Sequence, residues 1–375
     1  MKDTENRTIV IVPGNRWTDT YGTDHRLAVA LAEFVPVLWV DPVVPVLGRR
    51  TPGGRVPIVP GYEVDEVAAN VRRLRTAGPP GFTRRGMRRW AESLIARAVN
   101  AFIDAERISA AAVILMSGRS TFPGGVKAPA ILHVTDDWPA GAALMGLDRV
   151  VVEDTLRRNI AAADVVTAIT PGLAESIKAF GAEAVQVIPN GCPRPSDDDG
   201  GSHRPVAGLL GQLNERLDVE LLDELSHWVD LEVVGPVTAR DPETAERLER
   251  FLGSDRVTWF GPLCASAAAD RMNGWTVGVT PYRDNAFNRS SFPLKTLEYL
   301  AAGLAVISTD LPASRWLGCE WVRIAASIDA FVDLVREEIG RPVRAEDIRA
   351  RKSAAMGHTW RARALDLLAT VEVTT

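Results

Sequence analysis

Short runs of consecutive apolar residues recur along this chain, separated by segments with helical periodicity. The first set is "TIVIVP" (8–13), "VPVLWVD" (35–41), "AAVILM" (111–116), "PAILHV" (129–134), "DVVTAI" (164–169) and "AVQVIP" (184–189). A strand that is apolar on both faces must be covered on both, which is the condition of a parallel sheet wrapped by helices. The intervening "AESLIARAVNAFIDA" supplies such a cover, with Leu94, Ile95, Ala98, Val99 and Phe102 at helical spacing. The alternation stops at "NGCPRPSDDDGGSHRP" (190–205), whose Pro, Gly, Ser and Asp content reads as a linker. It restarts at "VAGLLG" (206–211) and continues through "LEVVG", "RVTWFG", "WTVGVT" and "LAVIST". The pattern predicts an α/β chain of two Rossmann-like, doubly wound domains, 1–190 and 206–356, joined by linker 191–205 and facing each other across a cleft. A length of 375 residues agrees, being long for a single core. Ligands of such sheets bind beyond the carboxyl ends of the strands.

Composition narrows the partners. The net charge of −5 argues against nucleic acid, whose binding needs a positive surface. The start "MKDTENRTIV" enters a strand-like run without a signal-peptide core, and no apolar run is long enough to span a bilayer. Cys192, Cys264 and Cys319 are odd in number and far apart, which fits neither a zinc site nor a disulfide framework and suits a reducing cytoplasm. One segment departs from the charge balance. Arg72, Arg73, Arg75, Arg84, Arg85, Arg88 and Arg89 occur between Val71 and Trp90 with no acid among them. They read either as a solvated face or as a peripheral contact, Arg72 to Arg89, for anionic lipid at the inner membrane face.

Several strand ends carry candidate chemistry. "PGNRW" places Gly14 and Arg16 after the first strand, where a backbone can approach a ligand and a guanidinium can hold it; an ordinary turn reads the same way. No GxGxxG accompanies it. "ILHVTDDWP" sets His133, Asp136 and Asp137 at another strand end, where a general base would be sought. In "GLLGQLNERLDVELL", Gly211 ends a strand and Arg216 precedes a helix, as a phosphate ligand or as a partner of Asp218 or Glu220. Asp197 and Asp199 form a D-x-D pair, but inside the linker, so no metal site is expected. "SSFPLKTLEYLAAGLAVIST" (290–309) is the most specific stretch. Ser290 and Ser291 suit caps, Pro293 the first helical turn, and Gly303 the helix end. Lys295 and Glu298 then share one face near the N-terminal end, a charged pair that a core helix does not need.

"PYRDNAFNRSSFPLKTLEYLAAGLAVISTDLP", with "GQLNERLDVELL", "VTWFGPL", "ITPGLAESIKAFG" and "VIPNG", resembles nucleotide-sugar glycosyltransferases of the GT-B fold. More narrowly it is similar to the bacterial teichuronic-acid-synthesis type, with its P-x-K-x-x-E-Y-x-A-x-G signature at Pro293, Lys295, Glu298, Tyr299, Ala301 and Gly303. The resemblance implies a metal-independent hexosyltransferase without cofactor. Its partners would be a nucleoside diphosphate sugar, UDP-linked, and an acceptor from an envelope polysaccharide intermediate or a secondary metabolite. Glu298 would take the donor ribose hydroxyls. Lys295, Arg216 and the N–H groups at Phe292 and Leu294 would neutralise the diphosphate. Ser290 stands where many relatives carry a first glutamate, which leaves the stereochemical outcome open. "HTWRARALDLLATV" resembles the closing helix (357–375) that crosses back to the first domain. A nucleotide-sugar 2-epimerase and a non-catalytic sugar-nucleotide-binding protein share the architecture.

Overall fold

The computed structural model describes residues 7–19, 21–45, 61–78, 85–197, 203–292 and 294–374. The chain divides into two compact units, Met1–Pro189 with Trp360–Thr375, and Asn190–Thr359.

Unit 1 runs β1 (Arg7–Pro13), α1 (Thr23–Leu31), β2 (Val37–Val40), β3 (Val44–Pro45), β4 (Tyr62–Ala68), β5 (Val71–Gly78), α2 (Arg85–Glu106), β6 (Ser109–Met116), β7 (Ala130–Val134), α3 (Arg149–Ala162), β8 (Val165–Ala168), α4 (Pro171–Lys178) and β9 (Gln186–Val187). The sheet order is β3-β5-β2-β1-β6-β7-β8-β9, parallel throughout, with β4 added antiparallel to β5. β1 is central, and Ile9, Val10, Ile11 and Val12 are each at most 1% exposed, as a run apolar on both faces requires. The direction of winding reverses between β1 and β6, so Gly14 and Ser117 mark the switch point of this unit.

The hairpin β4–β5 is not foreseen by the apolar pattern. Its strands are held by charge: Arg73 donates to Asp65 at 3.0 and 2.5 Å, Arg75 to Glu63 at 3.0 Å, and Arg72 reaches Glu106 of α2 at 3.1 Å. Opposite charges across an antiparallel pair stabilise the register. Asn70 closes the turn at φ 58°, a left-handed conformation that asparagine tolerates.

Unit 2 runs β10 (Ala207–Leu210), α5 (Val219–Ser226), β11 (Leu231–Val234), α6 (Pro242–Leu252), β12 (Val257–Trp259), α7 (Ala265–Met272), β13 (Val277–Thr280), α8 (Ala286–Ser290), α9 (Leu294–Ala301), β14 (Ala305–Thr309), α10 (Pro312–Leu317), β15 (Val322–Ala325), α11 (Ile328–Gly340) and α12 (Ala345–Met356). All its strands are parallel, in the order β12-β11-β10-β13-β14-β15. Side-chain caps start the helices: Asp218 accepts from Leu221 N–H, Asp241 from Thr244 N–H and Ser327 from Ala330 N–H. Two strand glycines make room for rings. A Cβ at Gly208 would fall 1.8 Å from Trp275, and one at Gly278 2.4 Å from Tyr299.

The segment read as a linker is built into unit 2 where it is described. Cys192 N–H donates to His358 C=O at 2.8 Å, and Lys352 of α12 donates to Ser196 at 3.1 Å. The last helix, α13 (Trp360–Thr374), belongs to unit 1, where it packs on α1 and Arg361 pairs with Glu33 at 3.2 Å.

Candidate active site

In unit 2 the winding reverses between β10 and β13, and the candidate donor residues gather at the carboxyl ends of those strands. Gly211 follows β10 at φ 148°. A Cβ there would lie 3.8 Å from Lys295 Cε, so the lysine of α9 reaches over the end of β10. Lys295 Nζ donates to Glu298 Oε2 at 2.6 Å, with the glutamate side chain 5% exposed and the lysine 20%. The pair expected on one helical face is therefore formed and mostly buried. Gly235, after β11, is at φ 142°, and a Cβ on it would sit 1.8 Å from the Gly211 carbonyl oxygen. Two glycine termini thus pack backbone to backbone beside Lys295.

Arg216 does not pair with Asp218 or Glu220. Its Nε donates to Asn288 Oδ1 at 2.9 Å, and its guanidinium lies 5.2 Å from the Tyr282 ring centroid and 5.0 Å from that of Phe287. Asn288, 1% exposed, in turn donates to the carbonyls of Arg216 and Arg283, each at 2.9 Å. Asn288 thus holds Arg216 in place, which the sequence did not disclose, because a lone asparagine in a short helix has no distinctive spacing. Burial pushes the Tyr282 phenol up; the Arg216 charge opposes this and the Glu298 charge adds to it, which places all three in one electrostatic neighbourhood.

Three expectations for the motif need correction. Ser290 and Ser291 close α8 rather than open α9: Ser290 is its last residue, and the Ser291 hydroxyl donates back to Phe287 C=O at 2.8 Å. The Leu294 N–H does not point at a ligand, since it donates to the Phe292 carbonyl at 2.9 Å. Phe292 is 4% exposed and packs edge-on against Trp316 with centroids 6.4 Å apart. The Leu294 amide is therefore committed within the chain, while Lys295 and Arg216 remain candidates for an anion site. Pro293 lies outside the described residues.

In unit 1, His133 is the penultimate residue of β7. It is 2% exposed, with Nδ1 2.7 Å from Thr167 Oγ1, and burial lowers its pKa to about 4. Burial thus favours the neutral imidazole. Asp137 accepts from Ala140 N–H at 3.0 Å and holds the turn after β7. Asp136 is half-buried in the same loop. Gly14 meets no backbone squeeze: a Cβ on it would find only the Met116 carbonyl at 3.5 Å and Ser117 Oγ at 4.0 Å. Its N–H donates to Asp24 Oδ2 at 3.3 Å, and its carbonyl accepts from Arg119 at 3.1 Å. The loop carrying Arg16 is pinned by Asp41, which accepts from Trp17 N–H at 2.9 Å and Trp39 Nε1 at 2.8 Å. Arg16 contributes to the field on Asp41, whose carboxyl burial pushes up. Gly14 and Arg16 are thus fixed by contacts within unit 1.

Of the seven clustered arginines, Arg72, Arg73 and Arg75 are the hairpin cations paired above, and Arg88 donates to Glu92 at 3.1 Å. Arg84 lies outside the described residues, as does Asp199 of the D-x-D pair. Among the described residues, no group of three or more His, Cys, Asp or Glu side chains is placed to hold a metal, and no helix is long and apolar enough to cross a membrane.

The two-unit α/β architecture is that of the GT-B glycosyltransferases. Comparison with known proteins bears on both halves of that description. Residues 208–337, which contain Gly211, Arg216, Lys295 and Glu298, match the family described as "Glycosyl transferases group 1". The putative teichuronic acid biosynthesis glycosyltransferase TuaH of Bacillus subtilis (strain 168) is 28% identical over 134 residues, covering 35% of this chain and 33% of that protein. The match therefore spans about a third of that relative's length. Among solved structures, sucrose-phosphate synthase from Thermosynechococcus elongatus aligns over 99% of this chain and 100% of its own, with a TM-score of 0.70 at 17% identity. A trehalose-6-phosphate structure from E. coli, bound with UDP-2-fluoro glucose, aligns over 98% and 99%, with a TM-score of 0.68 at 10% identity. Anabaena HepE in complex with UDP and glucose aligns over 97% and 99%, with a TM-score of 0.66 at 13% identity. At those identities the structures speak to the fold.

Proposed function

We propose that the protein is a glycosyltransferase that moves a hexosyl group from a UDP-linked sugar to the hydroxyl of an acceptor, an envelope polysaccharide intermediate or a secondary metabolite. The observation that carries this reading is the Lys295–Glu298 pair beside Gly211 and near Arg216, at the switch point of unit 2 and inside the segment that matches the glycosyltransferase family. Glu298 supplies an acceptor for ribose hydroxyls. Lys295 and Arg216 supply cations for a diphosphate whose charge grows as the sugar departs. UDP as the carrier is supported by the ligands named for two fold relatives, and an envelope acceptor by the name of the teichuronic acid relative. A thermal-shift series of UDP, GDP, ADP and dTDP sugars tests it, since a ligand bound only to the folded state raises the melting point by mass action. UDP-hexoses should give the largest rise; no rise with any of them would count against the reading.

Two finer expectations belong here. Turnover should survive EDTA, because Lys295 and Arg216 take the role a divalent ion would otherwise fill; activity lost to EDTA and restored by manganese would contradict this. A peripheral contact with anionic lipid would fall to the later part of the run, Arg84, Arg85, Arg88 and Arg89, of which Arg88 also pairs with Glu92; Arg72, Arg73 and Arg75 are paired with acids. Serine at those four positions should reduce pelleting with phosphatidylserine vesicles, and salt should do the same by screening over roughly 8 Å at physiological ionic strength. Equal pelleting of variant and parent would leave the arginines as a solvated face.

A further inference from the structure

The amino edge of the sheet in unit 2, opposite the strand ends that carry the donor residues, holds two adjoining cavities of about 420 and 470 Å³. Their walls meet at Thr276, Arg341 and Val343, and every lining residue belongs to unit 2. Thr276 and Ala305 stand at the starts of β13 and β14, and Trp321 just before β15. The end of α11, the loop after it and the first turns of α12 supply the facing wall. Ligand pockets run from about 300 to 1,000 Å³, so each cavity admits a small metabolite.

Arg351 is the fixed cation of the larger cavity. Its side chain is 11% exposed, and its guanidinium lies over the Trp321 ring, 5.4 Å from the centroid. Nη1 donates to Gly303 C=O at 3.2 Å, while Nη2 stays 3.9 Å from Glu338 Oε2, beyond hydrogen-bond reach. Nε is buried and, among the described residues, has no hydrogen-bond partner. A guanidinium edge of this kind takes an oxyanion through two parallel N–H bonds. The other charges limit how much negative charge can enter. Arg323 and Arg341 donate to Glu338 at 2.7 and 3.1 Å, so that carboxylate is already matched. Arg344 pairs with Glu346 at 3.4 Å, and Glu320 and Asp347 also line this cavity. One phosphate answers Arg351; a second would meet the carboxylates.

The smaller cavity adds an acceptor. His203 Nδ1 lies 2.5 Å from the Trp275 carbonyl oxygen, which can only accept, so Nδ1 carries the proton. Nε2 of the neutral ring is then a lone pair, buried and, among the described residues, without a partner. Buried polar atoms are ordinarily satisfied, and a ligand hydroxyl is the donor this nitrogen suits. We propose that the two cavities form a second ligand site, for a hydroxylated phosphate monoester, with its phosphate on Arg351 and a hydroxyl on His203. The site shares no residue with the donor site and does not depend on the transferase reading.

Isothermal titration of the full chain with sorbitol 6-phosphate, inorganic phosphate, sorbitol and UDP tests this. Sorbitol 6-phosphate should bind more tightly than inorganic phosphate, sorbitol should not bind, and UDP should not displace the ester. Arg351→Gln should weaken the ester about 10- to 100-fold, the effect of losing hydrogen bonds to a charged group. His203→Phe should weaken it about 2- to 10-fold and leave inorganic phosphate unchanged. Arg351 also holds the end of α9, so a second variant guards against misfolding. Val343 is 40% exposed and borders both cavities, and Val343→Trp should obstruct them from the surface and abolish ester binding in a protein that circular dichroism shows folded. Lys295→Ala should bind the ester as the wild type does. Failure of the ester to bind, wild-type affinity in Arg351→Gln or Val343→Trp, or inorganic phosphate binding as tightly as the ester would overturn the assignment. So would binding lost in Lys295→Ala and kept in Arg351→Gln, which would put the ester in the donor site.

Discussion

Lys295→Ala should lower kcat by about 10²–10³-fold, the loss typical of removing one preorganised charge from a developing oxyanion. The diphosphate gains charge as the sugar leaves, so the lysine contributes more in the transition state than in the bound complex. The structure adds a second effect. Glu298 is 5% exposed and loses its cation in this variant. Breaking a fully buried pair destabilises by about 3–5 kcal/mol, and the loss should be smaller here because Lys295 is 20% exposed. The double variant Lys295→Ala, Glu298→Gln separates the two, since it removes both charges. Its melting point should recover while kcat stays low. Recovery of both would mean that the lysine acts on folding and not on the leaving group.

Gly235→Ala should be among the most damaging single methyls in unit 2. At φ 142° an L-residue is strained, and strain of this kind is of order 1–3 kcal/mol. The new Cβ also falls 1.8 Å from the Gly211 oxygen, where backbone must move, and overpacking adds about 1–3 kcal/mol. Denaturant unfolding should show a total loss of about 2–6 kcal/mol. Because Gly211 carries the strain, donor affinity should fall in whatever fraction remains folded. Gly14→Ala is the contrast: its Cβ finds only ordinary contacts, so stability should change little. A wild-type unfolding midpoint for Gly235→Ala would refute the packed-glycine description of this edge.

The alternation of apolar runs disclosed both parallel sheets, because burial on two faces leaves a continuous signal. The hairpin β4–β5 was illegible for the opposite reason. Its arginines are answered by Glu63 and Asp65 on the facing strand, several residues earlier in sequence, so the run looked unbalanced when read along the chain alone. β15 escaped because Arg323 interrupts "VRIA"; its guanidinium pairs with Glu337 at 2.6 Å and Glu338 at 2.7 Å, both on α11. Lys295 and Glu298 were legible from helical spacing, which the local backbone fixes. Asn288 was not, because an asparagine bridging two loops depends on tertiary contacts. For His133 the strand-end motif gave its position along the chain but not its burial.

The reading turns on whether the end of β10 and the face of α9 hold a nucleotide sugar. Calorimetric titration of UDP-hexose into the wild type and into Glu298→Gln, each shown folded by circular dichroism, addresses this directly. Hydrogen bonds to a charged group contribute about 1.5–3 kcal/mol, so the variant should bind roughly 10- to 100-fold more weakly. Wild-type affinity in a folded Glu298→Gln protein would mean that the Lys295–Glu298 pair serves packing alone, and the donor site would have to be sought elsewhere.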